Sequence, residues 1–359
     1  MAASTTPSDK VFLAVDSVES FLLSVTTAAG LSPEHAQIVA RALVLADLRG
    51  VDTHGANRVP AYLDRIRSGV VTPSPTLEFV YKTPVLASLD AQNGLGIVAA
   101  TLATRKAVEI ASTFGVGIVA VRNSGHFGMA ATYLLEAIGQ GHGAMVFTNA
   151  SRSMPAWGSK EALLGTSPFA VGLPGRNGDH WILDMSPSVV ARGKIRKALR
   201  RGESIPSGWA LDAEGRNTTD PQAAMGGVVL PIGGPKGSGL AMMMDIFGGL
   251  LTGSNFAGGV HDQYKVLDKP QGVGHWIMVF KPEAFLDSKE AYYDRMATEL
   301  ATVRGSQKAA GVERIYTPGE IEATVEAANR ERGGIYFTAS EIDVLNKTAE
   351  QWGSKVRLG

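Results

Sequence analysis

The middle of the chain alternates between two kinds of segment, and this alternation restricts the possible folds more than any other feature. From about Phe79 the short apolar runs FVYKTPVLASLD, GVGIVAV and GAMVFTNA have the composition of β-strands. Helix-like segments separate them, among them residues 97–114 and 129–139. Strands that alternate with helices indicate crossover units. The sequence therefore predicts an α/β fold, with a largely parallel or mixed sheet and helices packed against it.

Both ends of the chain have helical patterns instead. Residues 15–28 place apolar side chains at helical spacing. Ser32 followed by Pro33 is typical of a helix start, and the helix that begins there is expected to end near Gly50. From about Met296 the chain returns to a charged helical pattern. We therefore predict helical segments at both termini.

The chain shows no internal repeat, no long charge block and no clean boundary between domains. The first ten residues are small and polar, and we expect residues 1–10 to form a disordered tail. The remainder, 11–359, is predicted to be one composite unit, in which helical segments 11–70 and 296–359 surround an α/β core at 71–295.

The composition excludes several partners and chemistries. With 34 basic and 34 acidic side chains the net charge is zero, so neither nucleic acid nor an anionic membrane is an expected partner. The absence of cysteine excludes disulfides, thiolate metal ligands and a cysteine nucleophile. The most apolar stretch, residues 239–253, is too short to span a bilayer and contains Asp245. No targeting pattern is present, so we expect a cytoplasmic protein.

The charged fraction is also informative about assembly. Charged residues make up only 19% of the chain, whereas about 25% is average for soluble domains. A shortage of charge is expected when another subunit covers part of the surface. The composition therefore suggests an oligomer.

Three residues at helical spacing form the first candidate site. His54, Arg58 and Tyr62 are four residues apart, so they line one stripe if the chain after Gly55 is helical. An imidazole, a guanidinium and a phenol on one face can protonate, orient and hydrogen-bond a small anionic substrate. The alternative interpretation is a solvated helix face on which the histidine is incidental.

The segment NSGHFG at residues 123–128 lies between a predicted buried strand and the helix that begins near Met129. The N–H groups of such a helix start favour a phosphate or a carboxylate. The segment does not match G-x-G-x-x-G, and the nearest approximation, at residues 115–120, runs into a strand instead of following one. A Rossmann nucleotide site therefore has little support. His126 is either a functional residue or a plain loop histidine.

Three more segments carry candidate residues. Asp184 ends an apolar run, where a strand delivers side chains into a crevice. Residues 230–239 place four glycines around Lys236 and can cradle a phosphate, or form a tight turn with a solvent-exposed lysine. This loop is not a Walker A motif, which disfavours nucleotide hydrolysis. The basic run at residues 192–201 is typical of a solvated helix face, with one cofactor phosphate contact as the alternative.

The histidines show no metal-ligand spacing, and no carboxylate cluster is paired with them, so we expect no metal site. The G-x-S-x-G pattern of hydrolases is missing as well. Without a thiolate or a metal cluster, acid–base chemistry is expected to depend on histidine and aspartate.

Several long blocks stand in one order along the chain, namely THGANRVPAYLDRIRSG, NSGHFGMAATY, LLGTSPFAVGLP, DMSPSVVARGKI, IPSGWALDAEGRNTTDP, LPIGGPKGSGLAMMMDIFGGLLTG and YTPGE. In order and approximate spacing they resemble the type-2 malate/L-lactate dehydrogenase family of NAD(P)H-dependent oxidoreductases, from about residue 15 to 320. The resemblance implies a non-Rossmann α/β fold and a homodimer with its active site near the subunit boundary. It also implies hydride transfer to a 2-oxo acid or a related carbonyl or imine.

The resemblance implies roles for individual residues. His54 corresponds to the proton donor of the family's Ser-His-Gly motif, in which Thr53 replaces the usual serine. Arg58 and Tyr62 correspond to substrate-anchoring positions. Asp184 corresponds to the acid that some members pair with the histidine, where a carboxylate would stabilise the imidazolium.

His126 corresponds to the acid/base residue of the ureidoglycolate branch. The family's branches therefore leave two candidates for proton transfer, and we predict His54 first. The implied cofactor is NAD or NADP, without a metal. The segments implied to contact it contain His126, Phe127, Gly128, Asp184, Met185, Ser186, Lys236, Gly237, Pro318, Gly319 and Glu320.

The predicted function is reversible hydride transfer between a nicotinamide and C2 of a small 2-oxo or 2-hydroxy acid. One alternative keeps the cofactor and changes the acceptor to a cyclic imine or an N-alkyl imino acid. A second alternative is a protein that binds a nucleotide or a phosphorylated metabolite without turning it over. The choice between NADH and NADPH stays open, because no acidic residue at a fingerprint position reads the ribose.

Overall fold

The structure is a computed structural model in which residues 10–359 are described. Its helices are α1 (Val15–Ala28), α2 (Pro33–Leu48), α3 (Val59–Arg67), α4 (Gly96–Phe114), α5 (Ala131–Ile138), α6 (Arg192–Arg201), α7 (Pro221–Gly226), α8 (Pro235–Asp245), α9 (Lys289–Arg304), α10 (Glu320–Arg332) and α11 (Ala339–Gln351). Its strands are β1 (Lys10–Ala14), β2 (Phe79–Thr83), β3 (Leu86–Asp90), β4 (Val116–Ser124), β5 (Gly143–Thr148), β6 (Arg152–Met154), β7 (Leu164–Gly165), β8 (Phe169–Leu173), β9 (Trp181–Met185), β10 (Ala210–Leu211), β11 (Asn217–Thr218), β12 (Val228–Val229), β13 (Val273–Phe280) and β14 (Gly334–Thr338).

A seven-stranded sheet forms the centre, in the order β2-β3-β4-β13-β5-β8-β9. Strands β3 and β4 run parallel through the α4 crossover, and the other neighbours are antiparallel. Helix α4 packs on β4 and β13, and α5 packs on β5 and β8. The prediction of a mixed, non-Rossmann sheet with packed helices is confirmed. The largely parallel version is wrong, because β13 returns from late in the chain and inserts between β4 and β5.

The predicted N-terminal helices are confirmed. Helix α1 buries Phe21 and Leu22, and α2 begins as expected, with the Ser32 side chain accepting a hydrogen bond from the His35 N–H at 3.3 Å. Helix α2 ends at Leu48, two residues before Gly50. These helices pack with α3 and α11 in one hydrophobic core, while α4 and α5 bury a second core against the sheet.

The two termini also contain strands that the helical patterns missed. Strand β1 pairs antiparallel with β14, so that Lys10 lies opposite Thr338. Lys10 is therefore part of a strand and not of the predicted tail, and residues 1–9 lie outside the described residues. The terminal segments 11–70 and 296–359 are mainly helical but not wholly so, because each contributes one strand to this pair. The division around a core at 71–295 stays a prediction.

Among residues 10–359, no helix is both long enough and apolar enough to cross a membrane.

Candidate active site

A cavity of about 1070 Å³ lies where the end of α2 meets the loops that follow β4 and β9. Sites for small molecules and cofactors usually measure about 300–1,000 Å³. Most residues predicted from the sequence line this cavity: Thr53, His54, Arg58, His126, Phe127, Gly128, Asp184, Met185, Ser186, Pro318 and Gly319. A smaller cavity of about 570 Å³, beside Trp157, contains none of the predicted residues. The larger cavity is therefore the candidate active site.

Two histidine rings face each other at one end of the cavity. The rings of His54 and His126 are stacked, with 5.5 Å between their centroids and 18° between their planes. The Tyr62 hydroxyl lies 2.8 Å from Nδ1 of His126, and the Thr53 hydroxyl lies 2.9 Å from Nδ1 of His54. Tyr62 does not itself line the cavity, and it contributes through this hydrogen bond to His126. The structure thus brings together both residues that the family resemblance proposed for proton transfer.

Both histidines are neutral at pH 7. Burial, with a further contribution from the positive charge of Arg58, lowers the pKa of His54 to about 4. Burial and the nearby Arg58 also lower the pKa of His126 well below its usual value. Nδ1 of His126 accepts a second hydrogen bond from the Gly128 N–H at 3.3 Å. A neutral imidazole in this position can accept a proton from an alcohol, or can donate one after the site has gained negative charge.

The segment carrying His54 and Arg58 is not one continuous helix. It consists of two short 3-10 turns, Asp52–His54 and Ala56–Arg58, before α3 begins at Val59. The predicted helical stripe is therefore wrong in its geometry, although His54, Arg58 and Tyr62 still converge on one site. The break occurs at Gly55, because the buried carboxyl of Asp47 comes close there and a Cβ on Gly55 would lie only 1.8 Å from Oδ1.

Asp47 holds this break in place. Its side chain is only 4% exposed, and Oδ2 accepts a hydrogen bond from the Ala56 N–H at 2.8 Å. Burial raises the pKa of Asp47 to about 8, and the carboxylates of Asp52 and Glu341 add to the effect while the Ala56 bond opposes it. The turn between the catalytic candidates is thus fixed by a carboxyl group that is protonated at neutral pH.

We expect Asp47→Asn to change how stability depends on pH. A carboxyl whose pKa is raised in the folded state contributes stability that is present below pH 4 and is lost as pH rises towards 8. The amide does not ionise, so the unfolding free energy of wild type relative to the variant should fall with pH, by up to about 1.4 kcal/mol per unit. Urea unfolding at pH 5, 6.5 and 8 measures this slope, and parallel curves would contradict the assignment.

Asp184 faces the cavity but does not pair with a histidine. Its Oδ2 accepts a hydrogen bond from the Ala131 N–H, at the start of α5, at 2.8 Å. The surrounding protein raises the pKa of Asp184 to about 6 by desolvation, against the effect of this bond. Within the described chain no hydrogen bond joins Asp184 to His54 or His126. The anion predicted at this helix start is thus the protein's own carboxylate.

The segment that contains Pro318 and Gly319 packs on β9, next to Asp184. Gly319 has a φ of +85°, and a Cβ there would lie 2.7 Å from Cβ of Ile182, so the chain before α10 packs closely on β9. The Ile182 N–H donates to the Pro318 carbonyl at 3.1 Å. Pro318 and Gly319 therefore border the cavity next to Asp184 and Met185. Glycine is required at residue 319 both for its φ and for this close approach.

Three residues implied to contact the cofactor lie outside the cavity. Lys236 is exposed, and the Gly237 N–H donates to the Ile232 carbonyl at 2.8 Å. Glu320 turns away to Arg304 and Arg314. Burial opposes its ionisation, but bonds from the Thr317 N–H and these two guanidinium groups lower the pKa of Glu320 to about 2. For these three residues the implied contact stays a prediction.

Sequence reasoning missed several residues of the cavity. Arg49, Ser153 and Gln263 line it, and each has a buried polar atom without a hydrogen-bond partner. Tyr264 also lines it, and its hydroxyl accepts a hydrogen bond from Arg58. Ser153, Gln263 and Tyr264 come from segments far from His54 in the chain, so no spacing connects them with it, whereas Arg49 lies only five residues before His54 and was overlooked.

The basic run on α6 does reach the cavity. Arg192 and Arg196 both line it, while most of the run is exposed as on a solvated helix face, so the fold is compatible with both interpretations from the sequence. Arg192 is held by the Met225 carbonyl at 2.8 Å. Arg196 makes no hydrogen bond or ion pair within residues 10–359. A cation at a cavity wall that has no such partner is suited to an anionic ligand.

Among the described residues no group of three or more histidine, aspartate or glutamate side chains could hold a metal ion.

Comparison with curated proteins finds relatives along most of the chain. The chain is 36% identical to malate dehydrogenase from Pyrococcus abyssi over 348 residues, which is 95% of this chain and 94% of that protein. It is 38% identical to (2R)-3-sulfolactate dehydrogenase (NADP(+)) from Chromohalobacter salexigens, over 75% and 80% of the two chains. It is 34% identical to ureidoglycolate dehydrogenase (NAD(+)) from Escherichia coli, over 81% and 83%.

Solved structures show the same fold. Sulfolactate dehydrogenase from Methanocaldococcus jannaschii superimposes with a TM-score of 0.90 at 32% identity, over 96% of this chain and 98% of that chain. Delta1-piperideine-2-carboxylate reductase from Pseudomonas syringae superimposes with a TM-score of 0.84 at 27% identity, over 94% and 100%. The family profile of malate/L-lactate dehydrogenases matches residues 13–346. The chain therefore belongs to the malate/L-lactate dehydrogenase family of NAD(P)-dependent oxidoreductases.

Proposed function

We propose that the protein catalyses reversible hydride transfer between a nicotinamide cofactor and C2 of a small 2-oxo or 2-hydroxy acid. One observation carries this proposal: a stacked pair of neutral histidines stands beside a guanidinium in a single large cavity. The relatives are named as dehydrogenases of malate, sulfolactate and ureidoglycolate, which are small polar acids. The cytoplasmic location that the sequence suggests stays a prediction.

The cavity fits a dinucleotide together with a small acid. Its volume, about 1070 Å³, exceeds what a small acid alone requires. Arg49, Ser153 and Gln263 contribute polar side chains to its lining. Arg192 and Arg196 add positive charge to the wall that also contains Ser186. These residues would hold the cofactor, and the bound nicotinamide supplies or accepts the hydride.

Arg58 is built to hold the substrate carboxylate. Its Nε donates to the Thr53 carbonyl at 2.5 Å and one terminal nitrogen donates to the Tyr264 hydroxyl, which fixes the plane of the guanidinium. The second terminal nitrogen has no hydrogen-bond partner within the described chain. It is therefore free to donate to a carboxylate, and such charge-assisted bonds contribute about 1.5–3 kcal/mol.

His54 transfers the proton in this proposal. Its Nδ1 is paired with the Thr53 hydroxyl, so Nε2 is the nitrogen left for the substrate. The positive charge of Arg58 lowers the pKa of His54, and a carboxylate bound to Arg58 cancels part of that effect. Substrate binding is therefore expected to raise the pKa of His54 by the part that Arg58 contributes, while burial remains the main cause of its low value. The imidazole then donates a proton to the substrate oxygen as C2 is reduced, and takes it back in the oxidation.

An imine acceptor is the second candidate. The match to a piperideine-2-carboxylate reductase favours it, since that protein's name describes a cyclic imine acid. The same Arg58 would hold the carboxylate, and His54 would protonate nitrogen instead of oxygen. The alternative of a protein that binds nucleotide without turnover lacks such support, because the relatives are named as dehydrogenases or reductases.

The decisive assay follows nicotinamide absorbance with NADH and NADPH in parallel. The acceptors are pyruvate, oxaloacetate, sulfopyruvate, piperideine-2-carboxylate, and pyruvate with methylamine. We expect oxidation of at least one reduced cofactor with a 2-oxo acid. Turnover only with the imines would replace the first proposal by the second. Thermal stabilisation by either nucleotide without turnover of any acceptor would favour the binding protein.

We also propose that the protein is a homodimer. Met242, Ile246 and Leu250 follow one another at four-residue steps along α8 and its π-helical continuation, and they are 48%, 42% and 49% exposed. Exposed apolar side chains in one stripe are typical of a protein–protein interface. The proposal is supported by this stripe and by the low charge content.

The dimer is tested by Ile246→Asp. A carboxylate at the centre of the stripe would lose its hydration in an interface, so we expect the variant to become monomeric. Light scattering after gel filtration should give twice 37.8 kDa for wild type and a single chain mass for the variant. Phe285→Asp is the matched control, because Phe285 is 76% exposed and lies elsewhere on the surface. A monomeric wild type, or a dimeric Ile246→Asp, would contradict the proposal.

A further inference from the structure

A buried arginine, Arg65, lies seven residues after Arg58, the arginine proposed to bind the substrate carboxylate (hereafter the clamp). Arg65 lies on α3 and is only 2% exposed. Its two terminal nitrogens donate to three backbone carbonyls, those of Gln263 at 3.3 Å, Val266 at 2.7 Å and Lys269 at 2.8 Å. Within residues 10–359 no carboxylate lies within 4 Å of this guanidinium. The charge of Asp262, in the same loop, opposes the effect of burial on the pKa of Arg65. A buried cation whose hydrogen bonds all go to carbonyls of one loop indicates a specific role for that loop.

The loop in question, residues 262–269, forms one wall of the cavity. Asp262, Gln263 and Tyr264 all line it. The loop is organised around Asp262, whose Oδ1 accepts hydrogen bonds from the N–H groups of Tyr264 at 2.8 Å and Lys265 at 3.0 Å. It is otherwise rich in exposed residues and contributes little to either hydrophobic core. Its position therefore depends on polar contacts.

Two arginines, one just before α3 and one near its C-terminal end, both contact this loop. Arg58, just before the helix, donates to the Tyr264 hydroxyl, and Arg65, two turns later, holds the backbone. The same Tyr264 contact fixes one terminal nitrogen of Arg58, while the other is left for the substrate. The orientation of the clamp therefore depends on where the loop places Tyr264.

We propose that Arg65 is a positioning residue, which fixes the 262–269 loop so that Tyr264 orients Arg58 for the substrate carboxylate. The proposal rests on the proposed function, since it assigns Arg58 to the substrate. Arginine suits this role because its fork of N–H donors reaches three carbonyls at once. A lysine presents one ammonium group and cannot span carbonyls from residue 263 to 269 in the same way.

The first experiment measures steady-state kinetics of Arg65→Met and Arg65→Lys with a 2-oxo acid. In Arg65→Met we expect the KM for the acid to rise about 10- to 100-fold, as for other losses of substrate orientation. The kcat at saturation and the KM for the cofactor should change much less. Arg65→Lys should lie between wild type and Arg65→Met. Arg67→Met is the control, because Arg67 lies on the same helix, is exposed and does not touch the loop.

A second measurement observes the loop directly. Lys265 is exposed within it and is a site for trypsin. We expect native trypsin digestion to cleave after Lys265 faster in Arg65→Met than in wild type or Arg67→Met. Tyr264→Phe removes only the hydroxyl, so it should raise the KM for the acid without accelerating cleavage. The double variant Arg65→Met/Tyr264→Phe should be no worse than Arg65→Met, because both changes act through one contact.

Several results would overturn the proposal. An unchanged KM for the acid in Tyr264→Phe would show that the Tyr264 contact does not orient Arg58. This variant is expected to fold even if Arg65→Met does not. A lower melting temperature in the Arg65 variants with unchanged KM would show a purely structural role. Failure of the proposed function is distinguishable, since wild type would then reduce no acid in the panel while cleavage after Lys265 would still report on the loop.

Discussion

Replacing His54 with alanine is expected to lower kcat for 2-oxo acid reduction by about 10²- to 10⁴-fold, the usual contribution of a positioned acid–base group. Cofactor binding should be retained, because the segments that the family resemblance implies for the cofactor contain Asp184 and Met185 but not His54. Stopped-flow or steady-state absorbance measures kcat, and fluorescence quenching by the reduced nicotinamide measures cofactor binding. Loss of both together would indicate collapse of the site and not loss of a proton donor.

His126→Ala distinguishes the two histidines. Nδ1 of His126 is occupied by the Tyr62 hydroxyl and the Gly128 N–H. Its Nε2, like that of His54, is left for a ligand. Because we predict His54 first as the proton donor, we expect the loss of His126 to raise KM more than it lowers kcat. The double variant His54→Ala/His126→Ala should have a kcat close to that of His54→Ala. Near-normal turnover in His54→Ala, together with an inactive His126→Ala, would transfer the proton-donor role to His126.

His142→Ala is the control for the general cost of removing a buried histidine. His142 is 6% exposed, and its Nδ1 pairs with the Gln140 carbonyl at 2.9 Å. Neither residue lines the cavity. We expect normal kcat and KM for this variant, even if its melting temperature falls. A comparable loss of kcat in His142→Ala would mean that the His54 effect reflects stability and not catalysis.

Local signals predicted the elements of this fold but not their arrangement. The Ser32 cap and the apolar spacing of α1 and α2 act over one turn, and the structure confirms them. The position of β13 between β4 and β5, and the pairing of β1 with β14, depend on backbone contacts between distant segments. No periodicity reports such pairing, because any half-buried strand presents the same alternation.

The same limit applies to the site. The blocks that resemble the family identified His54, Arg58, His126 and Asp184, and these line one cavity. The structure adds a contact that the resemblance did not imply for Asp184, because Oδ2 accepts a hydrogen bond from the Ala131 N–H. Gln263 and Tyr264 reach the cavity because a loop distant in sequence contacts α3, and no local pattern of sequence encodes that contact.

Replacing Arg58 with alanine is expected to raise the KM for a 2-oxo acid about 10- to 150-fold, which corresponds to the loss of about 1.5–3 kcal/mol from one charge-assisted hydrogen bond to the carboxylate. The same change removes a positive charge that lowers the pKa of His54 and of His126. Both values should therefore rise towards 6.5 in the free variant. NMR titration of the histidine ring signals measures that rise directly.

The carboxylate contact is isolated by comparing pyruvate with its methyl ester, which keeps the reacting ketone and removes the charge. Wild type should strongly prefer pyruvate, whereas Arg58→Ala should lose most of this preference because its clamp no longer distinguishes the two. Arg58→Lys keeps a charge but cannot hold the Thr53 carbonyl and the Tyr264 hydroxyl together, so its preference should be intermediate. An unchanged KM for pyruvate in Arg58→Ala would place the carboxylate elsewhere, and the other arginines that line the cavity would then be tested: Arg49, Arg152, Arg192 and Arg196.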